Sequence, residues 1–351
     1  MHQTLLADFA AGRKAALARA ISIVENHRPG FEQVLATCHP KIGRARRIGL
    51  TGPPGAGKST LTTGLTRAYR AEGLTVGIVA VDPTSPFTGG ALLGDRIRME
   101  EVALDPGVYI RSLATRGSLG GLSAATRETC DVMDAFGIDR ILIETVGVGQ
   151  SELDVARTAD TSLVVLVPES GDAIQTLKAG LMEIADVFTV NKADRPGADR
   201  LRNEIEIMLG MRSGATMRNV PAHHGVDLSR NNLVKQVRAA AAADAPDDWV
   251  PPVLRTEASR NVGIEELVAA LDRHFRYLER SGRLRDRRRA RLRERVVEVV
   301  EDKTRRRLWG DADTNAWLEG RLAELETGAA TPFGIADALL ERSANLLTRT
   351  S

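Results

Sequence analysis

Residues 52–60 read GPPGAGKST, between the apolar run RRIGLT at 46–51 and the amphipathic stretch LTTGLTRAYRAEG that follows. The nonapeptide Gly52, Pro53, Pro54, Gly55, Ala56, Gly57, Lys58, Ser59, Thr60 matches G-x-x-x-x-G-K-S/T. Glycines at these spacings let the backbone curl until several N–H groups point inward, at the oxygens of a phosphate chain. A helix beginning at Lys58 adds its positive N-terminal end. Lys58 is expected to reach the outer phosphates and the Ser59 hydroxyl to ligate magnesium. The alternative is a plain Gly/Pro turn, but the motif sits in the strand–loop–helix context that phosphate binding requires.

Working outward, strands and helices alternate. After a helix over 58–72 ended by Gly73 come LTVGIVAVD, GVYIRSL, RILIET, TSLVVLVP, DVFTVNKAD and VPPVLRTEAS, with a further helix over 263–281. Several of these runs are unbroken Val, Ile and Leu, the pattern of strands covered on both faces. The expectation is an α/β fold with a doubly wound, mainly parallel sheet and its ligand at the strand C-termini.

The strand ends carry the chemistry. TVNKAD supplies Asn191, Lys192 and Asp194, an N-K-x-D pattern. A carboxylate at Asp194 can accept from both the ring N–H and the exocyclic amine of guanine. Adenine would leave it unpaired at high cost. Lys192 can lay its stem along the base. After the next strand, Thr256, Glu257 and Ala258 lie where a backbone N–H could meet the guanine carbonyl. ILIETVGVGQSE supplies Glu144 as a metal-side acid and Gly147 as a donor to the terminal phosphate. Asp82 in VAVDPTS and Asp95 in TGGALLGDR are further acids for a Mg²⁺ shared with Ser59 and Glu144; loop capping is the alternative for each. Val148 follows Gly147 where small signalling GTPases carry a water-orienting glutamine, so hydrolysis by the chain alone is expected to be slow. Gln150 is nearby with no assigned part.

Composition excludes several classes. The chain has 351 residues, a formal net charge of +2 and 4% aromatic residues, which disfavours a nucleic-acid binder. Cys38 and Cys130 stand apart, so neither a disulfide framework nor a zinc site is expected, and a reducing cytoplasm fits. No apolar run is long enough for a membrane span, and there is no apolar signal-peptide core near the N-terminus. Residues 1–45 read as helices, with Leu17, Ala20, Ile21 and Val24 on one face. Residues 283–351 read as a charged helical appendage with an apolar patch at Val296, Val297, Val299 and Val300. Its Arg-rich run over 283–307 suits a solvated arm, an acidic partner or, least, nucleic acid. The expected division is therefore 1–45, 46–282 and 283–351.

Taken together, GPPGAGKST, VDPTSPFTGGALLGDRIRM, RGSLGGLSAATRET, ETVGVGQSE, GDAIQTLKAG and NKAD resemble the MeaB/ArgK-type GTPases associated with methylmalonyl-CoA mutase, over most of the chain. The resemblance implies a P-loop GTPase domain and a homodimer joined by the C-terminal helices. It implies a G-protein chaperone role toward an adenosylcobalamin-dependent acyl-CoA mutase, with the cobalamin bound by that partner. Methylmalonyl-, ethylmalonyl-, isobutyryl- and 2-hydroxyisobutyryl-CoA mutases are the partners served by relatives. GTP binding and hydrolysis would gate cofactor loading and protect or reactivate the mutase. The resemblance also implies a switch over 171–180 that places Asp172, Gln175 and Lys178, with Lys178 approaching the phosphates as a catalytic group. Alternatives from other classes are a metallochaperone GTPase for nickel or zinc, for which His223 and His224 are the one His pair, and a P-loop kinase.

Overall fold

Residues 2–82, 99–114, 121–145, 151–168, 180–212, 230–242 and 248–344 are described by the computed structural model. The strands are β1 (Arg46–Thr51), β2 (Val76–Asp82), β3 (Val108–Ala114), β4 (Arg140–Thr145), β5 (Thr161–Leu166), β6 (Val187–Asn191) and β7 (Val253–Thr256). They form one sheet in the order β3-β2-β4-β1-β5-β6-β7, and every pairing is parallel. The chain steps outward from β1 on one side, returns through β4, and then builds β5 to β7 on the other side. All strand C-termini therefore open at one end, with β1 at the switch point between β4 and β5.

The alternation of side chains decides what faces what. Ile48 and Leu50 of β1, Ile78 of β2 and Leu142 of β4 point to one face. There they pack on Leu61, Leu65 and Tyr69 of α4 (Lys58–Ala71) and, C-terminal to the sheet, on the helix Ile264–Arg280. Val79, Val81, Ile141 and Ile143 point to the opposite face. That face is covered by α2 (Lys14–Glu25), with α1 (His2–Ala10) and α3 (Phe31–Cys38) beside it, and by α5 (Gly121–Phe136) and α6 (Ser151–Thr158). Leu17, Ala20, Ile21 and Val24, the face expected from periodicity, are all buried there. A third cluster joins β5 and β6 to α7 (Ala198–Arg212) and α8 (Arg230–Ala242) through Phe188, Leu201, Ile205 and Val237.

Polar groups lock the register at the far end of the sheet. The Asp134 carboxylate on α5 accepts from the backbone N–H groups of Gly43, Arg44 and Ala45 at 2.8, 3.1 and 3.0 Å, which aims the chain into β1. On α9 (Ile264–Arg280), the fully buried His274 meets Thr161 Oγ1 of β5 at 2.8 Å through Nδ1 and Asp186 at 3.2 Å through Nε2. Cys38 and Cys130 are buried free thiols. Burial first, and the Asp131 carboxylate second, push the Cys38 thiol up to about 11.

The chain divides into two compact units, Met1–Leu284 and Arg285–Ser351. The long helix α10 (Arg283–Trp309) opens the second unit, followed by α11 (Ala312–Glu319) and α12 (Pro332–Arg342). Asp311 and Thr331 cap these two shorter helices by accepting from the N–H groups of Thr314 and Gly334. Leu292, Val296 and Val300 recur every four residues along α10, and each is at least half exposed. Among the described residues, no helix is long and apolar enough to cross a membrane.

Candidate functional site

The loop between β1 and α4 turns back over the C-terminal end of the strands because Gly52, Gly55 and Gly57 take φ of 138°, 74° and 87°. Two of these turns also need the space of a missing side chain. A Cβ on Gly52 would run into the Val165 carbonyl of β5, and one on Gly57 into the Asn191 side-chain amide. Lys58 is buried, and its ammonium sits within the loop, donating to the carbonyls of Gly52 at 2.7 Å and Pro53 at 3.1 Å. Pro54, Gly55 and Thr60 are exposed along the outer side of the loop, and Ala56 is buried beneath it.

Glu144 shares a face with Leu142, two residues earlier on β4, and that face looks at α4. The carboxylate is 1% exposed, yet both oxygens are met. Ser59 Oγ donates to Oε1 at 2.6 Å, and Thr62 Oγ1 lies 2.9 Å from Oε2. Thr62 has no counterpart among the residues expected from sequence. Its signal was available: it sits one turn beyond Lys58 and so faces the same strand end. The Ser59 hydroxyl and the Glu144 carboxylate form an all-oxygen set at a helix N-terminus, which is the ligand chemistry magnesium takes.

The end of β6 braces the loop from the other side. The Asn191 amide donates to the Ala56 carbonyl at 2.8 Å. Its Oδ1 accepts from Thr256 Oγ1 and from the Ala258 N–H, both at 3.1 Å. Thr189 and Thr256 extend the contact across β6 and β7 at 2.9 Å. The expected strand DVFTVNKAD stops at Asn191, because Lys192 takes a left-handed φ of 55°. This conformation is costly for a side-chain-bearing residue, and here the Lys192 and Thr256 carbonyls accept from Arg195 and Ala193 N–H groups at 3.0 Å each. The turn leaves Lys192 half-buried and presents Asp194 at the surface. In the loop after β7 the backbone N–H groups are engaged: Ala258 with Asn191, and Glu257 with the Val262 carbonyl at 3.0 Å. Glu257 itself pairs with Arg260 at 3.3 Å.

The sheet thus brings together the 52–60 loop, Glu144, Asn191, Lys192, Asp194 and Thr256 to Ala258 at one end. Asp82 ends β2, two residues past the register partner of Glu144. Asp95, Gly147, Val148, Gln150, Asp172, Gln175, Lys178, His223 and His224 lie outside the described residues.

Comparison with known proteins gives the family. The family model described as Methylmalonyl Co-A mutase-associated GTPase MeaB matches residues 17–313. The chain is 33% identical over 326 residues to the GTPase ArgK of Escherichia coli, covering 92% of this chain and 90% of that protein. It is 48% identical over 289 residues to a Pyrococcus abyssi protein named as a GTPase, covering 82% of this chain and 81% of that protein. The solved structure titled LAO/AO transport system kinase superposes with a TM-score of 0.64 at 27% identity, over 97% of this chain and 96% of that one. Sheet, loop and sequence therefore place this chain in the methylmalonyl-CoA mutase-associated MeaB family of GTPases.

Proposed function

We propose that the chain is a Mg²⁺-dependent GTP hydrolase that acts as a G-protein chaperone of an adenosylcobalamin-dependent acyl-CoA mutase in the cytoplasm. The observation that carries the nucleotide part is the meeting, at one sheet end, of the glycine loop with Lys58, the Ser59–Glu144 pair and the Asn191–Asp194 turn. The mutase part rests on membership of the MeaB family.

In this reading the loop N–H groups and the N-terminus of α4 hold the phosphate chain. The Lys58 ammonium exchanges the Gly52 and Pro53 carbonyls for the outer phosphate oxygens, neutralising the charge that moves to the leaving group. Asn191 keeps the loop in shape from behind. Lys192 lies along the base, and Asp194 accepts from the guanine edge. Because the Ala258 N–H is engaged with Asn191, the Thr256–Ala258 loop contributes to the base pocket chiefly by holding Asn191. Ser59 and Glu144 would hold the magnesium ion, with Asp82 and Asp95 contributing; when bound, it supplies charge neutralisation at the phosphates. Gly147 senses the terminal phosphate, and Asp172, Gln175 and Lys178 form the switch that the partner engages. The cobalamin stays on the mutase. The second unit joins two copies into a homodimer through α10.

Turnover tests the assignment. Phosphate release from GTP should require Mg²⁺ and exceed release from ATP by a wide margin. Lys58→Ala should lower the rate at least about hundredfold, as expected for loss of a charge aimed at the reacting phosphates. Equal use of ATP, transfer of the phosphate to an acceptor other than water, or near-normal turnover by the variant would refute it.

A further inference from the structure

The first turns of α4 contain three buried or near-buried threonines whose hydroxyls bond back to the carbonyl four residues earlier. Thr62 meets Lys58 O at 3.0 Å, Thr63 meets Ser59 O at 3.0 Å and Thr66 meets Thr62 O at 2.7 Å. This back-bonding is ordinary for a threonine inside a helix. Only one of the three hydroxyls also reaches a carboxylate among the contacts of these residues: Thr62 Oγ1 lies 2.9 Å from Glu144 Oε2. Thr62 is fully buried and Glu144 nearly so.

A hydroxyl carries one hydrogen. If it is spent on the Lys58 carbonyl, the threonine oxygen turns its lone pairs to an anionic oxygen at hydrogen-bond distance, which is repulsive. If it is given to Glu144, the contact becomes a charge-assisted hydrogen bond, about twice as strong as a neutral one. The Lys58 carbonyl loses little, since it still serves the helix ladder. The second arrangement is therefore the stable one whenever Glu144 is ionised. It ties down one oxygen of the carboxylate and so sets the direction of the other, the one that meets Ser59 Oγ at 2.6 Å.

We infer that Thr62 is a positioning residue: by donating to Glu144 Oε2 it aims Oε1 and the Ser59 hydroxyl as a pair of oxygens toward the cation that accompanies the phosphates. The inference rests on the proposed nucleotide reading of the site and adds to it a group that touches neither nucleotide nor cation. A donor that orients a ligating carboxylate is the kind of outer contact whose loss lowers metal affinity about tenfold to a hundredfold. The loss should appear in metal dependence and not in the metal-independent part of nucleotide affinity, because the loop and the base turn are untouched.

The test follows a fluorescent GDP analogue, N-methylanthraniloyl-GDP, bound to the full chain, first in EDTA and then as magnesium chloride is titrated. Thr62→Val, which keeps the shape and removes the donor, should raise the Mg²⁺ concentration at half-effect about tenfold while leaving the affinity in EDTA unchanged. Thr62→Ser should restore the wild-type titration. Thr66→Val removes the same helical back-bond with no carboxylate attached, and should titrate like the wild type. If Thr62→Val does not fold, Thr62→Ala carries the same expectation without adding bulk. The inference is overturned if the donor-free variant titrates Mg²⁺ like the wild type, if Thr62→Ser fails to restore it, or if Thr66→Val shifts it equally. If the wild-type protein binds the analogue no better with Mg²⁺ than without, the proposed function itself fails, irrespective of Thr62.

Discussion

Asp194 stands at the surface on a turn made possible by Lys192 at a φ of 55°. In the proposed site its exposed carboxylate serves the guanine edge. Asp194→Asn replaces an acceptor-only group with one that also donates. In the proposed site this suits the second carbonyl of xanthine in place of the guanine amine. The ratio of GTP to XTP affinity should fall by on the order of a hundredfold in a binding titration, with the fold unchanged; unchanged selectivity would move base recognition elsewhere. Asn191, three residues earlier, behaves differently. The N-K-x-D pattern marks it as a nucleotide residue, and its side chain also ties the 52–57 loop to β7 through three hydrogen bonds. A four-residue pattern gives the chemical types, whereas the partner of each side chain depends on which strand ends meet. β6 ends beside both the 52–57 loop and β7, and that adjacency comes from the strand order. Thr62 is the contrary case: helix periodicity alone places it one turn beyond Lys58, on the same face of α4.

The loop and the helix it feeds form the element on which the site depends. The tight turn at Gly52 is fixed by contact with the β5 backbone as well as by its φ of 138°. Gly52→Ala should therefore displace the loop, costing about 2 to 4 kcal/mol in thermal or denaturant unfolding and weakening nucleotide binding more than tenfold. Wild-type binding by this variant would contradict the close contact between Gly52 and the Val165 carbonyl as the constraint on the loop. At this scale the sequence was informative. Alternation of strand-like and helix-like segments marks all seven strands, and several of them are unbroken apolar runs, since burial on both faces removes polar alternation. Strand ends were overshot where backbone conformation, not hydropathy, stops the strand, as at Lys192. The N-terminal face of Leu17, Ala20, Ile21 and Val24 was legible from spacing alone, while the strands it packs against were not.

For the molecule as a whole, the division at Leu284 separates a unit with a two-faced core from one whose long helix carries exposed apolar side chains. Eight arginines lie from Arg283 to Arg295 inclusive, and the Leu292, Val296 and Val300 stripe begins within that run and continues past it. The sequence gives this composition without saying which surface it meets, because charge density and an apolar stripe fit a second copy or a partner equally. Under the dimer proposal, the double substitution Val296→Asp and Val300→Asp should convert the protein to a monomer by light scattering. The guanine-nucleotide affinity of the first unit should be retained, since no residue of that site lies in the second. A dimer that survives both charges would place the contact elsewhere.

The most direct measurement is the rate of GTP hydrolysis by this protein alone and with an adenosylcobalamin-dependent acyl-CoA mutase from the same cell, each compared with Lys58→Ala. Turnover by the protein alone should be slow, should rise at least about tenfold when the mutase is added, as for GTPases completed by a partner, and should not rise with the variant. A rate that is unchanged by every such mutase of the source cell would contradict the proposed function.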